Sequence, residues 1–284
     1  MNRGRVGFPM NGALWFCLSL IVFASQAAPA QSAPTQPTQR TAVPLGPYHL
    51  PPDRFAPPFR LAMAAPTRPD EAIPLLEAAR AKGVHIFIHL TGGRGRHQNP
   101  DLSFSLERFT QLLEAYRDVD FDPYVRDGTL LGHMLFDEPH DPTNWNGKPV
   151  PFETIDAAAA ASKRLFPTVP VGIGSPPSWL RSGAPYKSLD FGSAQYTAKR
   201  GDPKAWVKDE VAAAAEARLK LVLSLNVLDG GAVRARQPMS AEQLGAVGKE
   251  CLRQPGVLGL LMWKWDEAYF TRPDIRDVLN ALAE

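Results

Sequence analysis

The chain has 284 residues, and its 31 lysines and arginines nearly balance its 29 aspartates and glutamates. With no dense basic block beyond the amino terminus, nucleic acid is not an expected partner. Of two cysteines, Cys17 falls in the amino-terminal apolar run, so Cys251 has no partner for an intrachain disulfide and stability must come from an ordinary core.

Residues 1–30 have the layout of a secretory signal peptide. Arg3 and Arg5 form a positive region, Gly12 to Ala24 is apolar, and two small-residue exits follow, Ala24-Ser25-Gln26-Ala27 and Ala28-Pro29-Ala30. The apolar run is short for a permanent span, so a secreted or periplasmic protein with no stable membrane anchor is expected, a retained anchor being the alternative. Cys17 lies inside the run and does not resemble a lipid-attachment cysteine. Residues 31–45, rich in Pro, Gln and Thr, read as a flexible spacer. Cleavage after Ala30 leaves a chain of about 250 residues, the usual size of one α/β barrel.

From residue 46 to 284, short β-rich runs alternate with amphipathic helices. Phe59 to Ala65 is the first run, and Pro69-Asp70-Glu71 opens a helix that Gly83 ends. Val84 to Leu90 follows, closed by Thr91-Gly92-Gly93. Ser103 or Ser105 caps a helix through Tyr116, and Leu130 to Phe136 is the next strand, ending in Asp137-Glu138-Pro139. An Ala-rich helix spans Phe152 to Phe166. Then come strand Val169 to Gly174, strand Ser188 to Tyr196, a helix from Pro203 to Leu219 and strand Leu221 to Asn226. Ser240 and Gln243 have capping-box spacing, Val257 to Trp265 is the last strand, and Pro273 starts a final helix.

Such alternation calls for parallel strands joined by right-handed crossovers. His89, Asp137, Glu138, Gln195, Asn226 and Asp266 stand at the carboxyl ends of different strands. An open sheet gathers ligand residues at one switch point, whereas a barrel collects them around a ring. The expected fold is therefore an α/β, TIM-type (β/α) barrel. Seven strands are clear; the eighth is irregular or missing, and Asn99 to Thr129 has room for a distorted one near Val119 to Val125. No Gly-x-Gly-x-x-Gly follows the first strand, and no cofactor is expected.

The most chemical segment is Gly132-His133-Met134-Leu135-Phe136-Asp137-Glu138-Pro139. An apolar strand delivers two carboxylates, and Pro139 ends the ladder. Regular alternation puts Glu138 on the face of Met134 and Phe136, and Asp137 on that of His133. A carboxyl wrapped by aromatic side chains holds its proton more tightly, which suits a general acid. The alternative is that the pair caps the following loop.

This strand end resembles the Asn-Glu-Pro or Asp-Glu-Pro end of the fourth strand in retaining (β/α)8-barrel glycoside hydrolases. Gly259-Leu260-Leu261-Met262-Trp263-Lys264-Trp265-Asp266 is similar to their eighth strand, whose tryptophan floors the sugar site. The resemblance implies that Glu138 is the acid/base. It also implies a glutamate nucleophile ending the seventh strand, where this chain has Asn226, with Asp229 three residues later. The second carboxylate is therefore sought in Asp266, which ends the last strand, or Asp229, with Glu267 and Asp190 behind them. Asp229 also suits a turn former.

His89, Asp137, Trp145, Gln195, Tyr196, Asn226, Trp263 and Trp265 are the expected substrate-binding residues, the aromatics as faces for sugar rings, with Trp145 in Asn144-Trp145-Asn146-Gly147 as a surface platform. Trp206, within a helix, reads as core. Thr91-Gly92-Gly93-Arg94 is a loop able to hold a phosphate or carboxylate. The expected function is a secreted glycoside hydrolase acting on a carbohydrate by carboxylate acid/base catalysis. One alternative is a non-catalytic glycan-binding barrel that has lost its nucleophile. Another is a metal-dependent hydrolase built on His85, His89 and His133 with Asp137 or Asp266, although no known zinc spacing is present and no metal is expected.

Overall fold

A computed structural model describes residues 43–284, so the expected signal segment and most of the expected spacer lie outside the described residues. The strands are β1 (Leu45–Pro47), β2 (Leu61–Ala64), β3 (His85–Ile88), β4 (Leu130–Asp137), β5 (Val171–Gly174), β6 (Phe191–Tyr196), β7 (Lys220–Asn226) and β8 (Val257–Trp263). All pair in parallel, in the order β1-β8-β7-β6-β5-β4-β3-β2.

The ring closes between β1 and β2. Arg60 donates its backbone N–H to Leu45, and His49 donates to Met63. Gly46 makes this approach possible, because a Cβ there would sit 1.6 Å from the Leu61 carbonyl oxygen.

The eighth strand is thus β1, at the edge of the segment expected to be spacer, and not in Val119 to Val125. That stretch instead leads into the short helix α3 (Asp122–Arg126), with Pro123 in its first turn. Counting β1 makes the Asp-Glu-Pro strand the fourth, the Asn226 strand the seventh and the Trp263 strand the eighth.

The helices follow their sequence signals. α1 (Pro69–Lys82) starts on proline and stops at Gly83, whose φ of 63° is left-handed. Ser105 caps α2 (Leu106–Glu114) by accepting from the Arg108 N–H. α4 (Phe152–Leu165) lays its alanines on the sheet, and Asp202 caps α6 (Pro203–Ala217). Ser240 and Gln243 form the capping box of α7 (Ala241–Leu252). The short α5 (Pro177–Leu180) and α8 (Glu267–Phe270) precede the closing helix α9 (Pro273–Ala283). Among the described residues, no helix is long and apolar enough to cross a membrane.

Inside the ring, Leu61, Met63, Phe87, Met134, Phe191, Val222 and Leu261 form one buried cluster. Phe191 fills the volume that Gly132 and Gly172 leave empty; a Cβ at Gly172 would stand 2.0 Å from its ring. The middle of the barrel is therefore a packed plug, with the mouth above it.

Candidate functional site at the barrel mouth

A cavity of about 380 Å³ opens at the carboxyl ends of the strands, within the range of about 300–1,000 Å³ usual for small-molecule sites. Tyr48, Ser193 and Ser224 are buried residues of its lining. Asp137, Gly174, Gln195, Asn226 and Trp263 line the walls, and Arg94, Glu138, His140 and Arg200 stand around the rim.

Asp137 reaches this cavity through a bulge. His133 and Met134 pair with Val171 and Gly172, but the next paired residues are Asp137 and Gly174, so β4 carries one more residue than its neighbour. The shift rotates Phe136 outward, where its ring stacks on Phe104 with centroids 4.4 Å apart. It also turns Asp137 inward, against simple alternation. Among the described residues, no protein donor hydrogen-bonds the Asp137 carboxylate. Its charge is felt nonetheless: burial and then Asp137 raise the pKa of the Tyr48 hydroxyl, keeping it protonated.

Glu138 takes a different course. Its φ of 53° is left-handed, rare for a residue with a side chain and costing about 1 kcal/mol. The conformation is held by its N–H donating to Gly174 O and its carbonyl accepting from the Trp145 indole, each at 2.8 Å. The carboxylate is half exposed at the rim, where Oε2 accepts from Arg94 at 3.0 Å and from Asn144 at 2.9 Å. The Arg94 loop thus holds a carboxylate, but one belonging to the protein. The expected aromatic wrapping of Glu138 is not found.

The expected site residues divide clearly. Asp137, Glu138, Gln195, Asn226 and Trp263 are brought together at the cavity. His89 is not one of the lining residues; it is half-buried, its Nε2 3.4 Å from the Thr91 hydroxyl, and burial lowers its pKa while nearby Asp137 partly offsets this.

Both expected second carboxylates lie elsewhere. Asp266 caps α8 by accepting from the Tyr269 N–H at 2.8 Å, and Asp229 is exposed in the turn after β7, its N–H donating to Asn226 Oδ1. Glu267 pairs with Arg54, and Asp190 with Lys163. Asp137 and Glu138, neighbours on one strand, are the acids at the cavity; across from them β7 presents Asn226.

Three expected stacking faces are instead packing residues. Trp145 is only 2% exposed, its indole N–H taken by Glu138 and its ring set among His97, Phe104 and Phe136. Tyr196 points away from the cavity side of β6, against Trp206, and donates its hydroxyl to Gly201 O at 2.6 Å. Trp265 stacks on Phe270 at 5.3 Å. Trp263 is the aromatic face that remains at the mouth, braced edge-on by Tyr48 at 5.2 Å and His49 at 5.8 Å.

The histidines do not converge. His85 Nδ1 donates to Gly128 O and its side chain lines a separate cavity with Val43 and Ala283, whereas His133 is buried against Ser162 of α4. Among the described residues, no cluster of three or more His, Cys, Asp or Glu side chains is placed to hold a metal.

Sequence reading missed Tyr48, Arg200, His140, Ser193 and Ser224. A signal existed for the serines: Ser193 and Gln195 on β6, and Ser224 and Asn226 on β7, are polar residues two apart in otherwise apolar strands, the period of one face.

No protein-family model matches the chain, and no curated protein does either. Solved structures do match. An exo-β-1,4-mannosidase from an Opitutaceae bacterium aligns with TM-score 0.52 and 16% identity, over 84% of this chain and 55% of that one. The chain therefore spans about half that enzyme's length. An intracellular xylanase from Thermoanaerobacterium saccharolyticum aligns at 0.53 and 10%, covering 84% and 96%. The catalytic domain of the major endoglucanase from Xanthomonas campestris pv. campestris aligns at 0.52 and 14%, covering 80% and 84%.

The fold is the (β/α)8 barrel that these three enzymes share. At these identities the likeness concerns the barrel alone. What the mouth does rests on its own residues.

Proposed function

We propose that this chain is an exported, glycosidase-like barrel that binds a saccharide at its mouth without two-carboxylate hydrolysis. The observation that carries this reading is Asn226 facing the cavity from β7, with Asp137 and Glu138 both at the end of β4. Retention needs a second carboxylate about 5–5.5 Å from the first on the far side of the sugar, and inversion needs one about 6.5–9.5 Å away. Asp266 is engaged as a helix cap and Asp229 in a turn, so neither supplies it.

The residues present suit sugar recognition. Asp137 accepts hydroxyl hydrogens, the Gln195 and Asn226 amides both donate and accept, and Trp263 offers a flat apolar face for ring C–H groups. The test is a glycan array followed by calorimetry and chromatography of the incubated ligand. Binding that disappears in Asp137→Asn and Trp263→Ala, with the ligand recovered intact, is the expected result. An array with no bound saccharide ends the proposal.

One observation favours a second reading, hydrolysis by the adjacent pair. Among the described residues no protein donor reaches the Asp137 carboxylate, while Glu138 stands beside it at the rim. Under that reading the wild type releases product and Glu138→Gln does not.

A further inference from the structure

We propose that the β5–β6 side of the mouth is a subsite for an anionic sugar substituent, a carboxylate or sulfate, with Arg200 as its cationic partner; this rests on the saccharide-binding reading above.

The two rim arginines differ in what they have left to offer. Arg94 donates to Asn144 Oδ1 at 2.6 Å and to Glu138 Oε2 at 3.0 Å, so its charge is already matched. Arg200 lines the same cavity, and among the described residues no acceptor or acid engages its guanidinium. The backbone beneath it is nonetheless fixed: the Ala198 N–H donates to Gly230 O, and the Arg200 N–H to Thr197 O. An anchored turn therefore presents an unpaired cation at the edge of a polar cavity.

One neighbouring group adds a donor. His140 also lines the cavity, within reach of the charges of Glu138 and Asp141 and then of Arg200, and its Nδ1 lies 3.0 Å from the Ser175 hydroxyl. When Nδ1 accepts from Ser175, Nε2–H is left as a donor. Ligand orientation follows from electrostatics. Asp137 carries an unpaired negative charge on the β4 wall, so it repels an anionic substituent and attracts hydroxyl hydrogens, while Arg200 does the reverse. A ring with hydroxyls at one end and a carboxylate or sulfate at the other satisfies both. A neutral saccharide leaves Arg200 unused.

The experiment compares oligogalacturonate, the same oligomer with its carboxyls reduced to alcohols, and a sulfated galactan oligomer. Calorimetry is run on the wild type, on Arg200→Gln and on Arg164→Gln, a control in the last turn of α4. At least one anionic oligomer should bind the wild type about ten-fold more tightly than the reduced one, and Arg200→Gln should cut that preference to about two-fold or less. The oligomer showing the preference identifies the anion as carboxylate or sulfate. Arg164→Gln should leave it unchanged. Equal binding of charged and reduced oligomers, or a preference that survives in Arg200→Gln, overturns the anionic subsite while leaving saccharide binding intact. Failure of these three oligomers and of every array glycan to bind overturns both. Binding only of neutral array glycans overturns the subsite alone.

Discussion

The Asp137 carboxylate occupies the space where Gly174 has no side chain: a Cβ at Gly174 would lie 2.2 Å from Asp137 Oδ1. Gly174→Ala should therefore displace the carboxylate without removing it. We expect ligand affinity to fall about as far as in Asp137→Asn, with the fold retained at a cost of about 1–3 kcal/mol. Calorimetry with denaturant melts checks both. Unchanged affinity in Gly174→Ala would show that the position of Asp137 does not matter for binding.

The seam between β1 and β2 gives a second test. Gly46→Ala places a methyl group 1.6 Å from a backbone oxygen that cannot move without opening the ring. A loss of more than about 3 kcal/mol, or failure to fold, is expected. Gly245→Ala is the control, since the nearest neighbour to its Cβ lies at 3.5 Å. Equal melting of the two variants would contradict closure through β1.

Acid should weaken the fold through its buried histidines. Burial lowers the pKa of His97 to about 4 and that of His133 to about 3, against an ordinary value of 6.5. As pH falls below 6.5, the unfolded chain takes up these protons before the folded one. Stability is thus full above pH 6.5 and drops progressively toward pH 4 for His97 and pH 3 for His133. His49, His89 and His140 are lowered too and add to the slope.

Among the described residues, His97 has no partner for either ring nitrogen, and it sits among Phe104, Phe109, Phe136 and Trp145. His97→Phe should remove on the order of 2–3 kcal/mol of the pH dependence. Urea melts at pH 7 and 4.5 measure it, and an unaltered difference between the two would reject the assignment.

Glu138→Gln separates the two functional readings from each other. If the mouth only binds, the amide keeps an acceptor for Arg94 and the affinity should change by about three-fold or less. If the adjacent pair hydrolyses, product formation should fall by about 10²-fold or more. Chromatography and calorimetry on the same sample distinguish them.

The barrel was legible because strand and helix periods alternate cleanly and the caps at Ser105, Asp202 and Ser240 are explicit. β1 escaped because three residues flanked by Pro44 and containing Gly46 and Pro47 carry no strand signal; only tertiary pairing makes them one. The facing of Asp137 escaped for another reason. A bulge is a mismatch between two strands, and neither strand's own sequence records it. Trp145 misled because the polar residues around it share its loop, while its ring is covered by side chains distant in sequence. Asp266 misled because an acid after a strand reads the same whether it faces a cavity or caps the next helix.

The seam also constrains how the ring assembles. β1 lies between β2 and β8, and its register with β8 joins Leu45 to Leu260, nearly opposite ends of the described residues. Any form of the chain in which β8 is undocked is therefore an open sheet with bare edges on the strands that flank β8. The closed ring has no such edge, and a helper protein that shields unpaired strands would find its target only before β8 docks.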